Sequence, residues 1–481
     1  MAMIKTTART VRKFRLLPLA GAVLLAGCSS LAPDYTRPEL PVPNEWQNQP
    51  VEGSHGLSTQ QAAEVPWQDF IKDTRLTRII ELALSNNRSL RQTLADVEAA
   101  RATYRIQRAD LLPQIDAGLN GTRSRSSGRT SSSYEAEVGL SSYEIDLFGK
   151  NRSLSDAQME AYLASAETAK AAQIALVSEI ANAWLTLAAD KSTLSLARET
   201  QSNAQNAMDI TRQRLTFGVD SRIDLANAET IYHSARSDIA LYTTQVNQDL
   251  NALHLLVGSQ FDGSLLPNAL PDSTSLVADV PAGLSSTLLL QRPDVLAAEH
   301  SLKSANANIG AARAAFFPSL SLTTTGGLAS SVLADIFSGG ASSIWTIAPG
   351  LTLPIFDNGA NDAGLAYSEA QQRKQLAAYE YAVQTAFSEV ADALARRATI
   401  QEQLDAEAAL VAAANRSYQL SRALYKNGVD SFQSTLEAQR TLYSAQQSLI
   451  TTRQADLDNR ITLYRVLGGG IADPESEQDA G

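Results

Sequence analysis

Tyr134-Glu135-Ala136-Glu137-Val138-Gly139-Leu140-Ser141 sets an apolar or aromatic side chain at every second position, with charged, small or polar residues between. Alternation of period two marks a strand with one apolar and one polar face. Upstream, Ile115, Ala117 and Leu119 alternate with Gln114, Asp116, Gly118 and Asn120. Farther on, Leu320 and Leu322 alternate with serines, and Trp345, Ile347, Leu351 and Leu353 share one parity. Four segments of about ten residues have the length of tilted membrane-spanning strands. Tyr134, Tyr143, Phe148, Phe316, Phe317, Trp345 and Phe356 stand near their ends, where an aromatic girdle belongs. Residues 121–133, nearly all Ser, Thr, Arg and Gly, are expected to form a solvated loop.

Outward from these strands the chain repeats itself. Leu111-Leu112-Pro113 returns as Phe316-Phe317-Pro318, and Gly218-Val219-Asp220-Ser221 as Gly428-Val429-Asp430-Ser431. Leu256-Val257-Gly258 returns as Val466-Leu467-Gly468. The shared order of landmarks makes the chain a tandem duplication. In each half a helix (90–112, 295–317) leads to the proline. Two alternating segments follow, then a helix without Gly or Pro (151–217, 365–427), and after the glycine turn a returning helix (223–257, 432–467). At 1.5 Å per residue the long helices would each reach roughly 100 Å. Ile174, Val177, Ala181, Trp184 and Ala188 step by three and four; Leu225, Tyr232, Ile239, Val246 and Leu253 recur every seven, as do Leu436, Tyr443, Ile450, Leu457 and Tyr464. Such seams supercoil on neighbouring helices.

The leader begins with Lys5, Arg9, Arg12, Lys13 and Arg15 and continues into an apolar run, Leu16 to Ala26. That run is too short to span a bilayer and suits a signal peptide. It ends in Leu25-Ala26-Gly27-Cys28, which resembles a lipoprotein lipobox, with Cys28 the acylated first residue of the mature chain. Ser29 in place of Asp resembles lipoproteins sorted to the outer membrane. The expected organisation is a signal peptide (1–27), a lipid-anchored, proline-rich extended arm (28–75), a first repeat (76–258), a linker (259–287), a second repeat (288–467) and an acidic tail (468–481).

Composition narrows the function. A net charge of −11 offers no basic patch for nucleic acid. Cys28 is the only cysteine, and His55, His233, His254 and His300 show no metal-ligand spacing. No nucleophile elbow, phosphate loop or HExxH stands in the chain. The expectation is no catalytic residue, no metal and no cofactor. A lipoprotein enzyme would need a polar cluster that is absent from the sequence. A periplasmic coiled-coil lipoprotein adaptor or scaffold would share the heptads, yet has no reason to carry four alternating strands. Four strands cannot close a barrel, and lipid does not tolerate open sheet edges. Two copies give eight strands filled by their own side chains; three give twelve and leave a lumen.

The chain resembles the outer-membrane factors of the TolC family, in particular the lipid-anchored OprM/NodT branch. The resemblance rests on Tyr143-Glu144-Ile145-Asp146-Leu147-Phe148-Gly149, on Arg292-Pro293-Asp294-Val295 and Ala311-Ala312-Arg313-Ala314-Ala315-Phe316-Phe317-Pro318, on Leu353-Pro354-Ile355-Phe356, and on the paired Gly-Val-Asp-Ser turns. It implies a mainly α protein with a membrane β-barrel. The assembly would be a trimeric helical tunnel continuous with a twelve-stranded outer-membrane barrel, four strands per chain. It also implies a channel subunit of a tripartite efflux pump, with a periplasmic adaptor and an inner-membrane transporter of RND type as partners. Cargo would be drugs, metal ions, phenolics or other small toxic molecules. The two turns would form the periplasmic mouth and meet the adaptor through Arg214, Leu215, Gly218, Val219 and Ser221, and through Leu424, Gly428, Val429 and Ser431. The family's closed mouth is held by a Tyr–Asp hydrogen bond, which maps to Tyr425 and Asp224, with Glu437 lining the constriction. The pattern is only partly met. Asp430 replaces an arginine, and of two pore-lining aspartate positions one is Ser434 and the other Glu437.

Metabolic labelling with palmitate should tag the wild type and leave Cys28→Ala untagged. Equal labelling of both would remove Cys28 as the acylation site.

Overall fold

The computed structural model describes residues 30–44, 46, 66–271 and 286–469. The expected signal peptide, Cys28 and the tail beyond residue 469 lie outside the described residues. In chain order the elements are α1 (Trp67–Phe70), α2 (Thr74–Asn86), α3 (Arg88–Ala109), β1 (Asp116–Ser126), β2 (Arg129–Ile145), α4 (Lys150–Thr216) and α5 (Arg222–Val257). The second repeat follows as α6 (Pro293–Ala314), β3 (Ser319–Ser330), α7 (Asp335–Ser338), β4 (Ser342–Thr352), α8 (Ala360–Lys426) and α9 (Phe432–Val466). Helices α4 and α8 are both 67 residues long, and α3 and α6 are both 22, so the duplication is metrically close.

Three boundaries differ from the sequence reading, each for a local reason. Helix α2 starts inside the stretch read as extended arm, because the Asp73 carboxylate accepts from the Arg75 and Leu76 amides and caps it. Helix α8 starts before residue 365 and runs through Gly364, because Asp357 accepts from the amides of Gly359 and Asn361. Residues 121–133 are not a loop. They are a β-hairpin whose two-residue turn, Ser127-Gly128, has positive φ at both positions (50° and 80°). Its backbone ladder forms although neither face there is apolar, so the alternation signal was missing from the sequence.

Two compact units are present. One holds residues to Pro38, Val97–Ser165 and Ala298–Tyr379. All four strands belong to it, in the order β1-β2-β3-β4, each pair antiparallel. A bulge between Leu140 and Tyr143 inserts one residue into β2, with Ser142 at φ 54°. The N-terminal arm is tied to α6: Arg37 donates to both oxygens of buried Glu299, Tyr35 donates to the same carboxylate, and Asn306 donates to the Pro33 carbonyl. A Cβ on Gly310 would lie 2.7 Å from the Ala32 amide nitrogen, so glycine lets the arm lie against the helix.

The second unit, Glu39–Asp96, Ala166–Ala297 and from Glu380 onward, is helical. Its core gathers Leu76, Ile79, Ile80, Ile180, Trp184, Leu253, Val257, Leu457 and Ile461. Phe70 stacks on Tyr464 with ring centroids 4.1 Å apart. The Trp184 indole donates to the Leu265 carbonyl at 3.2 Å, which ties the linker to this core. Every position of the two heptad series is buried or half-buried. The seams are therefore packed by side chains within this chain, with Leu253, Leu436, Leu457 and Tyr464 buried.

Burial and the neighbouring Asp190 carboxylate push the Asp249 carboxyl up to about 6. One of its oxygens is buried without a hydrogen-bond partner. In the unfolded chain an aspartate titrates near about 3.9. Folded Asp249 therefore holds its proton to higher pH, and stability falls as pH rises from about 4 through about 6. Asp249→Asn should raise the thermal midpoint at about pH 7.5 by a few degrees and change it little at about pH 4. A gain independent of pH would contradict this account.

Candidate functional site

Residues paired across an antiparallel ladder share a face. The register lines Ala117 and Leu119 up with Val138 and Ala136, then with Leu328, Trp345, Ile347 and Leu351 across β3 and β4. The opposite face carries Asp116, Asn120, Glu135, Glu137, Thr325 and Thr346. The bulge keeps Tyr143 and Ile145 on the apolar face, opposite Leu322 and Leu320. On that face Trp345 is 76% exposed, Leu351 70% and Val138 55%, so no element among the described residues covers these side chains. Contiguous apolar surface of this kind marks a membrane or partner contact. Ten strand steps separate Tyr134 from Ile145 once the bulge is discounted, about 33 Å of strand and, at a tilt of about 40°, about 25 Å of membrane. That matches the apolar band of an outer-membrane barrel, about 25 Å tall. Phe148 stacks on Phe317 (4.6 Å) at the end of the sheet where the helices attach.

The other candidate site is the pair of turns. Helix α4 ends where Gly218 takes φ 72°; the Val219 amide returns to the Arg214 carbonyl (2.9 Å) and the Gly218 amide to Leu215 (3.0 Å). The second turn repeats this backbone, with Gly428 at φ 71°, Val429 bonded to Leu424 and Gly428 to Tyr425. Both are glycine-terminated Schellman closures. The side chains then diverge. Ser221 and Asp224 form a capping box on α5, the Asp224 carboxylate accepting from the Ser221 amide at 2.8 Å. In the second copy Asp430 accepts from the Ser431 amide and the Ser434 hydroxyl instead.

Tyr425 pairs with Asp220 and not with Asp224. Its hydroxyl donates to Asp220 Oδ2 at 2.5 Å, while Arg214 Nε lies 3.1 Å from both oxygens of the same carboxylate. The Arg214 guanidinium also sits 4.7 Å over the Tyr425 ring. Burial, then the bond to Asp220, push the phenol up to about 12, so it stays a donor at physiological pH. Asp224 is unavailable within the chain because the capping box uses it. Beneath lies a small core of Met208, Ile231, Phe432 and Leu436. Glu437 is exposed and accepts from Gln433 (2.9 Å). Of the residues assigned to adaptor contact, Val219, Val429 and Leu424 are exposed and apolar, Gly218, Ser221, Gly428 and Ser431 are exposed, and Arg214 and Leu215 are half-buried. Sequence reasoning missed Phe217 (84% exposed) and Ile223 (71%), which flank the first turn. The signal was two large apolar side chains on either side of a glycine turn.

The model of the outer membrane efflux protein family matches residues 79–259 and again 284–469. A toluene efflux pump outer membrane protein of Pseudomonas putida, TtgC, is 43% identical over 464 residues, 95% of each chain. ArpC, an antibiotic efflux pump outer membrane protein of the same species, has the same identity and coverage. The open-state MtrE outer membrane channel of Neisseria gonorrhoeae superposes with a TM-score of 0.84 at 36% identity, covering 92% of this chain and 99% of that one.

Tyr425→Phe keeps the ring and removes the bond to a charged acceptor, a loss of about 1.5–3 kcal/mol. Amide exchange at residues 211–220 should accelerate accordingly. Unchanged exchange would mean that Arg214 alone holds Asp220.

Proposed function

This chain belongs to the outer membrane efflux protein family, and on that premise we propose that it is the outer-membrane channel subunit of a tripartite efflux pump. The two-faced sheet with two open edges carries the reading. Its outward face is apolar over the height of a bilayer, its inward face is polar, and three copies supply twelve strands around a lumen. The long helices continue each subunit into the periplasm, where an adaptor and an inner-membrane transporter, of RND type, deliver cargo. Relatives named for toluene and for antibiotics support small toxic molecules as that cargo. A coiled-coil adaptor or scaffold would leave the apolar sheet face without a purpose. Acylation at Cys28 adds a second membrane anchor to the barrel.

The paired turns are the periplasmic mouth. Val219 and Val429, with Phe217 and Ile223 beside the first, offer the adaptor an apolar surface on exposed backbone. Arg214 serves the closed mouth first, since Asp220 and the Tyr425 ring engage it. The latch is Tyr425–Asp220–Arg214, Asp224 holds the start of α5, and Glu437 supplies a ring of one carboxylate per subunit. Each latch contributes on the order of 1.5–3 kcal/mol, repeated around the axis.

Reconstituted Asp220→Ala/Tyr425→Phe trimers should conduct several-fold more than wild type in single-channel recordings, whereas Asp224→Asn alone should change conductance little. Unchanged conductance in intact double-mutant trimers would dismiss the latch. Photo-cross-linkers at Val219 and Val429 should capture the adaptor, and one at Ser127 should not. Capture only from Ser127 would invert the topology.

A further inference from the structure

Charge on the sheet is sorted by face. Asp116, Glu135 and Glu137 stand on the polar face, with the Asn120 amide donating to Glu137. On the apolar face, β1 continues past Gly121 to Arg123 and Arg125, opposite Ser132 and Thr130. Both arginines are exposed, and no ion pair involves either of them among the described residues. Arg129 pairs with Ser126 and so falls on the polar face. Just below Arg123 the Tyr134 ring covers Gly121, where a Cβ would lie 3.1 Å from it. That ring closes the apolar band at the end of the sheet away from the long helices.

Arg123 lies two residues beyond the Tyr134 level and Arg125 four, roughly 5 and 10 Å along the membrane normal for a strand tilted about 40°. Two guanidinium groups are thus stacked on the outward surface, where headgroups begin. Guanidinium presents a planar fork of donors that matches phosphate oxygens in pairs. We infer that Arg123 and Arg125 form a binding site for the phosphate groups of the glycolipid in the outer leaflet. The inference rests on reading the sheet as a barrel in the outer membrane. The site explains a feature that spanning alone does not require: two exposed cations directly above an apolar band, on a face whose strands carry no acid and where the nearby Asp335 carboxylate is already engaged by the Ser330 hydroxyl. It recurs on every subunit, so a trimer holds a belt of glycolipid at the barrel's rim. Bound phosphates there neutralise charge that the lumen-side carboxylates, on the opposite face, cannot reach.

The test uses full-length trimers in vesicles containing phosphorylated outer-membrane glycolipid or the same glycolipid with its phosphates removed. Glycolipid retained through extraction and gel filtration is quantified by mass spectrometry. Retention should fall roughly fivefold for each arginine replaced in Arg123→Gln and Arg125→Gln. It should survive largely in the double lysine variant and be unaffected by Arg129→Gln on the opposite face. The glycolipid without phosphates should be retained at the level of the double glutamine variant. Equal retention of both glycolipids, or an equal loss in Arg129→Gln, would overturn the site. Wild type that inserts as a heat-modifiable trimer yet holds no phosphorylated glycolipid would overturn the arginine site alone. Wild type that fails to insert would overturn the barrel reading with it.

Discussion

Each free edge of the four-stranded sheet presents a row of amide and carbonyl groups, and in hydrocarbon every one left unpaired costs several kcal/mol. Strands β1 and β4 are each 11 residues long, so one chain alone carries a debt no local rearrangement can remove. Pairing β4 of one copy with β1 of the next satisfies both rows at once, and repeating that step until the ring closes leaves no edge. Eight strands enclose a core, whereas twelve enclose a passage. The open edges therefore demand a closed ring, and the need for a passage through it selects three copies over two, and with them the number of helix pairs around the axis.

Duplication supplies the helices in matched lengths, but the two turns show that matched backbone need not mean matched chemistry. Arg214 corresponds to Leu424 and Leu215 to Tyr425. The first repeat thus contributes the cation and the second the phenol that meet at Asp220. This cross-repeat contact is possible only because the copies diverged. Asp430, lacking an arginine six residues before it, turns to helix capping. One aspartate joins a phenol and a guanidinium across the repeats, and its twin caps a helix.

Much of the fold was legible because it obeys simple periods. Strand alternation at 134–140 and the parity of Trp345, Ile347 and Leu351 gave the sheet and its faces. Heptads at Leu225–Leu253 and Leu436–Tyr464 gave the returning helices to within a residue or two. What escaped lies where period and polarity separate. The hairpin through Arg123 and Thr130 is polar on both faces, and its strands are held by backbone bonds that composition does not announce. The bulge at Ser141 and Ser142 shifts parity by one residue, which a strict alternation rule reads as the end of a strand. At the turns, the family resemblance offered Asp224 to Tyr425. The preference for Asp220 depends on Arg214 lying over the Tyr425 ring and on the capping box occupying Asp224, both three-dimensional facts.

The two candidate sites are held by different physics, and this bears on which of them can open. The sheet is fixed by lipid on one face and by complete backbone pairing, so any breach exposes many polar groups to hydrocarbon together. The turns are held by a few side-chain bonds near water: one phenol, one carboxylate and one guanidinium, each able to exchange its partner for solvent at about 0.5–3 kcal/mol. Energy of that size is comparable to what burying one or two large apolar side chains contributes. Of the two, the turns are the more weakly held, since their few side-chain bonds can be traded for water one at a time while the sheet's backbone ladder cannot.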